Sequence, residues 1–155
     1  MFSQAFYVIC HNIRSTYNVG AIFRTADAAG ITKIYLGGYT PCPPRKEISK
    51  VALGAELTVS WEHHAQIWRV IDQLKSQGVE IVALENNIKG SSDYRQYKPK
   101  FPLALILGHE LAGVGAGLLK RADAIIHIPM YGRKESLNVS VAFGIAAYEL
   151  NRWRR

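Results

Sequence analysis

The sequence predicts an α/β fold in which a mostly parallel sheet is covered by helices on both faces. Short apolar runs alternate with segments of helical periodicity, an order that is typical of parallel sheets. The 155 residues fit one domain, and no repeat, low-complexity tract or linker divides them. We therefore expect a single domain over residues 1–155 with no appended domain.

We predict the strands and helices in chain order from the apolar runs and from the residues that end each run. Gly37-Gly38 closes the second strand, a proline-rich loop precedes the second helix, and Gly78 ends the third helix. The predicted strands span residues 5–10, 33–37, 80–84, 103–107 and 124–128. The predicted helices span residues 18–29, 48–53, 64–77, 113–121 and 138–153.

The first helix has one apolar face, which we expect to be buried. That face carries, at helical spacing, Val19, Ile22, Phe23, Ala26 and Ala29. Asn18 is a suitable N-cap residue. Gly20, Arg24 and Asp27 fall on the other side, and we expect Gly20 to leave room beside the Arg24 guanidinium. A solvated Arg24 that pairs with Asp27 is the simpler alternative.

The last helix is apolar on every side from Val139 to Tyr148, apart from Ser140 and Gly144. A helix of this kind must be covered on more than one face. The sheet covers one face, and we expect a second subunit to cover the other.

Composition limits the classes of protein that fit. No apolar run is long enough to span a membrane, and the start Met1-Phe2-Ser3-Gln4 lacks the pattern of a signal peptide. Two cysteines in unrelated contexts make a disulfide framework or a cysteine-based zinc site a poor interpretation. These features indicate a cytoplasmic protein.

The formal net charge of +7 favours a polyanionic partner such as RNA. Tyr94 and Tyr97 lie among basic residues, and aromatic faces stack on unpaired bases. A solvated surface remains the alternative for each cluster. The candidate RNA-binding residues are Arg14, Arg45, Lys46, Arg95, Lys98 and Lys100.

Three polar segments follow apolar strands or open the helices after them. They are residues 18–25, residues 107–110, and Ser136-Leu137-Asn138. Ligands of open α/β sheets bind outside the carboxyl ends of the strands. We therefore expect the three segments to form one ligand site.

Together these segments resemble the TrmH/SpoU branch of the SPOUT superfamily, which are RNA ribose 2′-O-methyltransferases. The similarity rests on N-V-G-A-I-F-R-T (residues 18–25), L-I-L-G-H-E-L-A-G (105–113) and I-P-M-Y-G-R-K-E-S-L-N-V-S-V-A (128–142). It extends over nearly the whole chain. Each motif alone is weak, but all three in this order are specific.

The resemblance implies a deep trefoil knot in the C-terminal third, S-adenosylmethionine as cofactor, and a homodimer that packs through the first and last helices. We expect no separate RNA-binding domain before the motifs, so the knotted domain itself would hold the RNA. The backbone of Ile128 and Met130 would contact the adenine. The cofactor residues it implies are Leu84, Glu85, Gly108, Ile128, Met130, Ser136 and Leu137.

The resemblance also implies a catalytic set, partly shared between subunits, of Asn18, Arg24, Glu110, Ser136 and Asn138. The family's motif arginine is proposed as a general base. A guanidinium holds its proton with a pKa above about 12, so Arg24 could instead clamp the phosphate next to the target ribose. Both roles stay open, and no metal is expected because the leaving group is a neutral thioether.

Other interpretations fit the residues less well. Gly113-x-Gly115-x-Gly117 does not match the dinucleotide fingerprint, and His63-His64 lack a third metal ligand. Methylation of a base would need a different acid/base set. A non-catalytic RNA-binding module of the same fold is an alternative from another class. Transfer RNA is the first expected substrate and ribosomal RNA the second.

Overall fold

The protein forms a seven-stranded sheet in which every neighbouring pair of strands is parallel. The computed structural model describes residues 4–155, so Met1, Phe2 and Ser3, on which the signal-peptide argument partly rests, lie outside the described residues. The strands are β1 (Phe6–His11), β2 (Lys33–Gly37), β3 (Trp61–His64), β4 (Glu80–Leu84), β5 (Ser92–Asp93), β6 (Leu103–Leu107) and β7 (Ala124–His127). Their order is β3-β2-β1-β6-β4-β7-β5.

Six helices cover the two faces of the sheet. They are α1 (Thr16–Ala28), α2 (Lys46–Ala52), α3 (Ala55–Thr58), α4 (Ile67–Ser76), α5 (Ala116–Arg121) and α6 (Val139–Asn151). One apolar core joins the sheet to α1, α2, α3 and α6, and a second joins its other face to α4 and α5. This arrangement confirms the predicted fold class, whereas the knot stays a prediction.

Five strands and five helices were predicted close to their observed positions, and the errors have local causes. We expected a helix from His64, but residues Trp61–His64 form β3 beside β2, where Glu62 accepts a bond from Lys33 Nζ at 2.9 Å. The N-cap of α1 is Ser15, not Asn18. The Ser15 Oγ accepts the N–H of Asn18 at 3.2 Å, which leaves the Asn18 side chain available elsewhere.

Gly20 serves helix packing and does not make room for Arg24. It is buried where α1 crosses α2, and a Cβ at this position would lie 2.7 Å from the Ile48 carbonyl oxygen and 2.9 Å from Val51 Cβ. Both distances are shorter than real Cβ contacts, so only a residue without a side chain lets the helices approach this closely. The expectation about Gly20 was therefore wrong, because the α1 face that carries it is covered by α2.

Within residues 4–155, no helix combines the length and the apolar character that a membrane span requires.

Replacing Gly20 with alanine is expected to destabilise the fold. Overpacking costs about 1–3 kcal/mol, and alanine regains about 1 kcal/mol through its helix propensity. We expect the free energy of unfolding of Gly20→Ala to fall by up to about 2 kcal/mol, whereas a helix position with free space should gain about 1 kcal/mol from alanine. Gly117→Ala in α5 is the matched control, because no atom lies within 4 Å of its Cβ position. Urea unfolding of both variants measures the difference, and equal stabilities would contradict the packing account.

Candidate active site at the carboxyl edge of the sheet

A cavity of about 200 Å³ opens at the carboxyl edge of the sheet. Three chain segments form most of its wall: residues 84–87 after β4, residues 107–113 after β6, and residues 135–139 before α6. Ile128 and Ala142 complete the wall. Two of the three polar segments found in the sequence therefore line this cavity directly, and the third reaches it through hydrogen bonds.

The carboxylate of Glu110 connects the cavity to the start of α1. It accepts the backbone N–H of Arg14 at 3.0 Å, the N–H of Ser15 at 3.1 Å, and the Asn18 side-chain amide at 3.1 Å. Exposed N–H groups at a helix N-terminus favour a negative charge. Glu110 therefore fixes the first polar segment against the second.

A second set of hydrogen bonds continues from Asn18 to α6. Asn138 donates from Nδ2 to Asn18 Oδ1 at 3.0 Å. The other end of the Asn138 amide caps α6, where its Oδ1 accepts the N–H of Ser140 at 2.9 Å and the Ser140 hydroxyl at 2.6 Å. These donors hold Oδ1 at the start of α6, so the opposite end of the amide, Nδ2, faces Asn18. Glu110, Asn18, Asn138 and Ser140 form one chain of hydrogen bonds, which we call the amide relay.

The environment of Glu110 favours its ionised form. Burial alone raises the pKa of the carboxyl group, but the bonds from the Arg14 N–H, the Asn18 amide and the Ser15 N–H outweigh burial and lower the pKa. A carboxylate that already accepts three donors is a weak proton acceptor. Glu110 is thus better suited to holding the relay than to removing a proton from a substrate.

The seven expected cofactor residues fall into two groups. Met130 lies in a neighbouring recess beyond Ile128, between residues 127 and 135. The others line the cavity: Leu84, Glu85, Gly108, Ile128, Ser136 and Leu137. Gly108 is needed for a reason inside the protein, since a Cβ there would overlap the Gly113 backbone. Gly108 therefore allows the loop after β6 to pack closely against Gly113.

Asn86 was missed by sequence reasoning and holds two walls of the cavity together. Its Nδ2 donates to the carbonyl oxygens of Ile128 and Glu135, both at 3.2 Å, and its Oδ1 accepts the Ile128 N–H at 3.3 Å. The Ile128 backbone, which we expected to contact an adenine, is therefore already bonded to Asn86. A lone asparagine after a strand gave no signal in the sequence.

The charges that line the cavity are all acidic. Glu85, Glu110 and Glu135 are the charged residues that line it, and neither Lys nor Arg is among the lining residues. This contrasts with the net charge of +7 of the whole chain. Within residues 4–155, no group of three or more His, Cys, Asp or Glu side chains is placed to hold a metal ion. The cavity is suited to an organic cation.

The structure does not bring Arg24 into the amide relay. Arg24 is exposed on α1 and lies six positions after Asn18, which corresponds to about 9 Å along a helix. Asp27 accepts a bond from Thr58 Oγ1 at 3.1 Å, and no ion pair joins it to Arg24 in the described chain. Ser136 is also exposed and lies at the cavity wall.

The candidate RNA-binding residues divide between the two ends of the sheet. Arg14, Arg45 and Lys46 follow β1 and β2 at the carboxyl edge. Lys98 and Lys100 precede β6, and the Lys100 N–H donates to Glu80 at the start of β4. These two lysines therefore lie at the amino edge, about 15 Å away for a strand of five residues.

Arg95 is held beside the outermost strand. Its guanidinium donates to Asp93 at 2.6 Å and to the Tyr131 hydroxyl at 3.1 Å. The bonds from Arg95 lower the pKa of Asp93 to about 2, which keeps this pair ionised at neutral pH.

Comparison with known proteins identifies the family to which this parallel α/β domain belongs. The family model of the SpoU rRNA methylases matches residues 5–148. The chain therefore belongs to the SpoU rRNA methylase family, which confirms the resemblance seen in the sequence motifs.

Relatives of known activity match along most of the chain. It is 33% identical over 150 residues to the tRNA (guanosine(18)-2'-O)-methyltransferase of Escherichia coli K12, covering 96% of this chain and 63% of that protein. It is 36% identical over 135 residues to the 23S rRNA (guanosine(2553)-2'-O)-methyltransferase RlmP of Bacillus subtilis, covering 86% and 52%. The chain thus spans about half to two thirds of the length of these relatives.

A solved structure shows the same fold. The AdoMet-bound rRNA methyltransferase from Sinorhizobium meliloti superimposes with a TM-score of 0.90 at 34% identity, covering 97% of this chain and 57% of that one.

The stabilising effect of Glu110 is expected to depend on pH. Its folded pKa lies below the reference value of 4.5, so the ionised form stabilises the fold above that pH. This contribution is lost as the pH falls through the folded pKa. We expect Glu110→Gln to lower the free energy of unfolding by about 1–2 kcal/mol at pH 7. This range is the contribution of a charge-assisted hydrogen bond, reduced because solvent screens the charge.

Urea unfolding of wild type and Glu110→Gln between pH 7 and pH 3 measures this dependence. The difference between the two proteins should shrink toward zero at the acidic end. A difference that stays constant or grows on acidification would show that the carboxylate charge has no part in the relay's stability.

Proposed function

We propose that this protein transfers a methyl group from S-adenosylmethionine to a ribose 2′-hydroxyl of RNA. The observation that carries the proposal is an acidic cavity placed directly beside the amide relay, in a chain that is otherwise basic. A cationic methyl donor and a polyanionic acceptor would each meet the surface that complements its charge. Family membership and the activities named for the relatives support the same reaction.

The residues of the cavity fit the cofactor. Leu84, Ile128 and Leu137 supply apolar wall that suits an aromatic ring, and the lining carboxylates suit a sulfonium and an ammonium group. When bound, the sulfonium supplies an activated methyl group and leaves as a neutral thioether. The AdoMet named for the Sinorhizobium meliloti relative agrees with this assignment.

The amide relay is suited to holding the acceptor ribose. Asn138 is exposed and donates one amide N–H to Asn18, which leaves its second N–H for a ribose oxygen, whereas Asn18 is only 5% exposed and holds Asn138 in place. Glu110 keeps both amides oriented, so no rearrangement is needed when the substrate arrives. Alignment of reacting groups in this way contributes roughly 7–11 kcal/mol to catalysis.

A homodimer would complete the site. Along α6, an exposed apolar stripe consists of Val141, Ile145 and Tyr148, which are 50%, 36% and 55% exposed. On α1, the neighbouring helix, Tyr17 and Arg24 lie on one exposed side at a spacing of two turns. A partner packed on this surface would cover the stripe and receive Arg24 near its own relay.

Arg24 then has two possible tasks at the partner's site. It could accept the hydroxyl proton, or it could clamp the phosphate beside the target ribose and polarise the hydroxyl. A guanidinium is a very weak base at neutral pH, so the clamp is the better supported task. Near-full activity of Arg24→Lys would show that the planar guanidinium group, with its parallel N–H donors, is not needed.

The substrate class is RNA, with transfer RNA ahead of ribosomal RNA. The relatives named above include enzymes of both kinds. Arg14, Arg45 and Lys46 lie on the cavity's side of the sheet and supply positive charge where RNA must approach. We place the reaction in the cytoplasm as part of the same proposal.

Methyl transfer from tritiated S-adenosylmethionine to unmodified tRNA and, separately, rRNA tests this function. We expect label in alkali-resistant dinucleotides, because a methylated 2′-oxygen blocks alkaline cleavage. Arg24→Ala should lower the rate roughly 10²- to 10³-fold, the usual effect of removing one charge-stabilising donor. Arg69→Ala, which removes an exposed arginine of α4 on the other face of the sheet, should act as wild type.

Two results would contradict the proposal. Label on free nucleotides would mean that a base is methylated. Cofactor binding without transfer to any RNA would favour the non-catalytic RNA-binding module.

Ile145→Asp tests the dimer, because it places a charge in the middle of the exposed stripe of α6. Sedimentation velocity should show a dimer for wild type and monomers for this variant. The rate of methyl transfer should fall when the dimer is lost, whereas the circular dichroism spectrum should show that the fold is kept. Gln73→Asp adds the same charge on α4 at the other face of the sheet and should stay dimeric. A monomeric wild type would rule out the shared site.

A further inference from the structure

Tyr39 is a large aromatic residue left exposed beside His109, one of the residues that line the cavity. It lies just after β2 at the carboxyl edge, and 60% of its surface is exposed. Its nearest aromatic neighbour is His109, at 6.4 Å between ring centroids and with an interplanar angle of 80°. His109 itself lines the cavity next to Glu110.

The backbone that carries Tyr39 is held firmly. Its N–H donates to Asn12 Oδ1 at 3.1 Å, and Asn12 itself takes up a left-handed conformation with φ of 57°. Thr40, the next residue, is 2% exposed and donates from Oγ1 to the Gly37 carbonyl at 2.7 Å. The same Oγ1 accepts the Ile13 N–H at 3.1 Å. Tyr39 is thus fixed to the ends of β1 and β2.

The His109 ring is fixed as well. Its Nδ1 accepts the backbone N–H groups of Leu111 at 3.0 Å and Ala112 at 2.9 Å, so the neutral ring carries its proton on Nε2. The His109 backbone pairs with Gly113 through bonds of 3.1 and 2.9 Å. Tyr39 and His109 therefore form a preorganised aromatic pair.

We propose that the Tyr39 ring, with the His109 ring standing nearly perpendicular beside it, is the platform on which the base of the methylated nucleotide stacks. This inference rests on the proposed function. A ribose hydroxyl that attacks a methyl group must come within about 3–3.5 Å of it, which brings the ribose to the relay and the cavity. The attached base then has to lie near the cavity, where this pair offers an exposed aromatic surface beside His109's neighbour Glu110.

Stacking on fixed aromatic rings selects an unpaired nucleotide. Bases of single-stranded loops can be splayed out onto aromatic side chains, whereas bases inside a duplex cannot. Such stacking changes affinity by roughly 5-fold to 150-fold per base. Arg14, whose backbone contacts Glu110, lies close enough to offer its charge to an adjoining phosphate.

The test compares Tyr39→Leu, Tyr39→Phe and Trp68→Leu on the RNA that the methyl-transfer assay labels. Tyr39→Leu removes the aromatic face, Tyr39→Phe keeps it, and Trp68→Leu removes an exposed aromatic ring from α4 as a control. We expect Tyr39→Leu to weaken RNA binding roughly 5-fold to 150-fold, with the other two variants near wild type. Affinity for S-adenosylmethionine and the oligomeric state should not change.

An RNA without a base at the methylated nucleotide locates the contact. With this RNA, wild type and Tyr39→Leu should bind equally, because the stacking partner is missing from both. Equal binding of intact RNA by wild type and Tyr39→Leu would overturn the platform while leaving the methyltransferase proposal in place. A loss of affinity in Tyr39→Leu that is the same with and without the base would also overturn the platform. A wild type that methylates no RNA would remove both proposals together.

Discussion

The Glu110 carboxylate is the constraint on which the rest of the site depends. Residues far apart in the chain meet at it: the N–H groups that open α1, the Asn18 amide, and the loop after β6 that carries Glu110 itself. Asn18 extends this contact to Asn138 at the start of α6. Parallel strands bring all these segments to one edge of the sheet, and the carboxylate then sets their relative positions. The charge is kept because its donors outweigh the cost of burial.

Opposite charges are separated in space on this small domain. The cavity is lined by carboxylates without Lys or Arg, whereas the chain as a whole carries a net charge of +7. An RNA backbone would therefore be drawn to the surface and kept out of the cavity, while a cation would enter it. The same arrangement would keep the proposed cofactor and the proposed nucleic-acid substrate from competing for one binding surface.

Much of the fold could be predicted because burial dictates it. Apolar runs marked the five central strands, and the three motifs marked the segments that meet at the carboxyl edge. β3 was missed because Trp61–His64 is polar and only half buried, so no apolar run identifies it. β5 has two residues, which is too short for any pattern.

The site was less predictable, since its contacts depend on distances between segments. No local pattern shows that Asn86 bridges Ile128 and Glu135, or that Ser140 orients Asn138. The role of Gly20 was misjudged because a helical wheel does not tell which neighbour covers a face. Lys98 and Lys100 were predicted to bind RNA, which stays a prediction, and the sequence did not show that the start of β6 places them at the edge of the sheet opposite the cavity.

A double-mutant cycle between Asn18 and Asn138 tests most directly whether the relay acts as a unit. Asn18→Ala removes one side of the contact, and Asn138→Ser keeps a capping side chain for α6 that is too short to reach Asn18. The measured quantity is kcat/KM for methyl transfer in wild type, both single variants and the double variant. The account predicts that the double variant is hardly worse than the more impaired single one. Losses that simply multiply would contradict it, because they would mean that the two amides act independently.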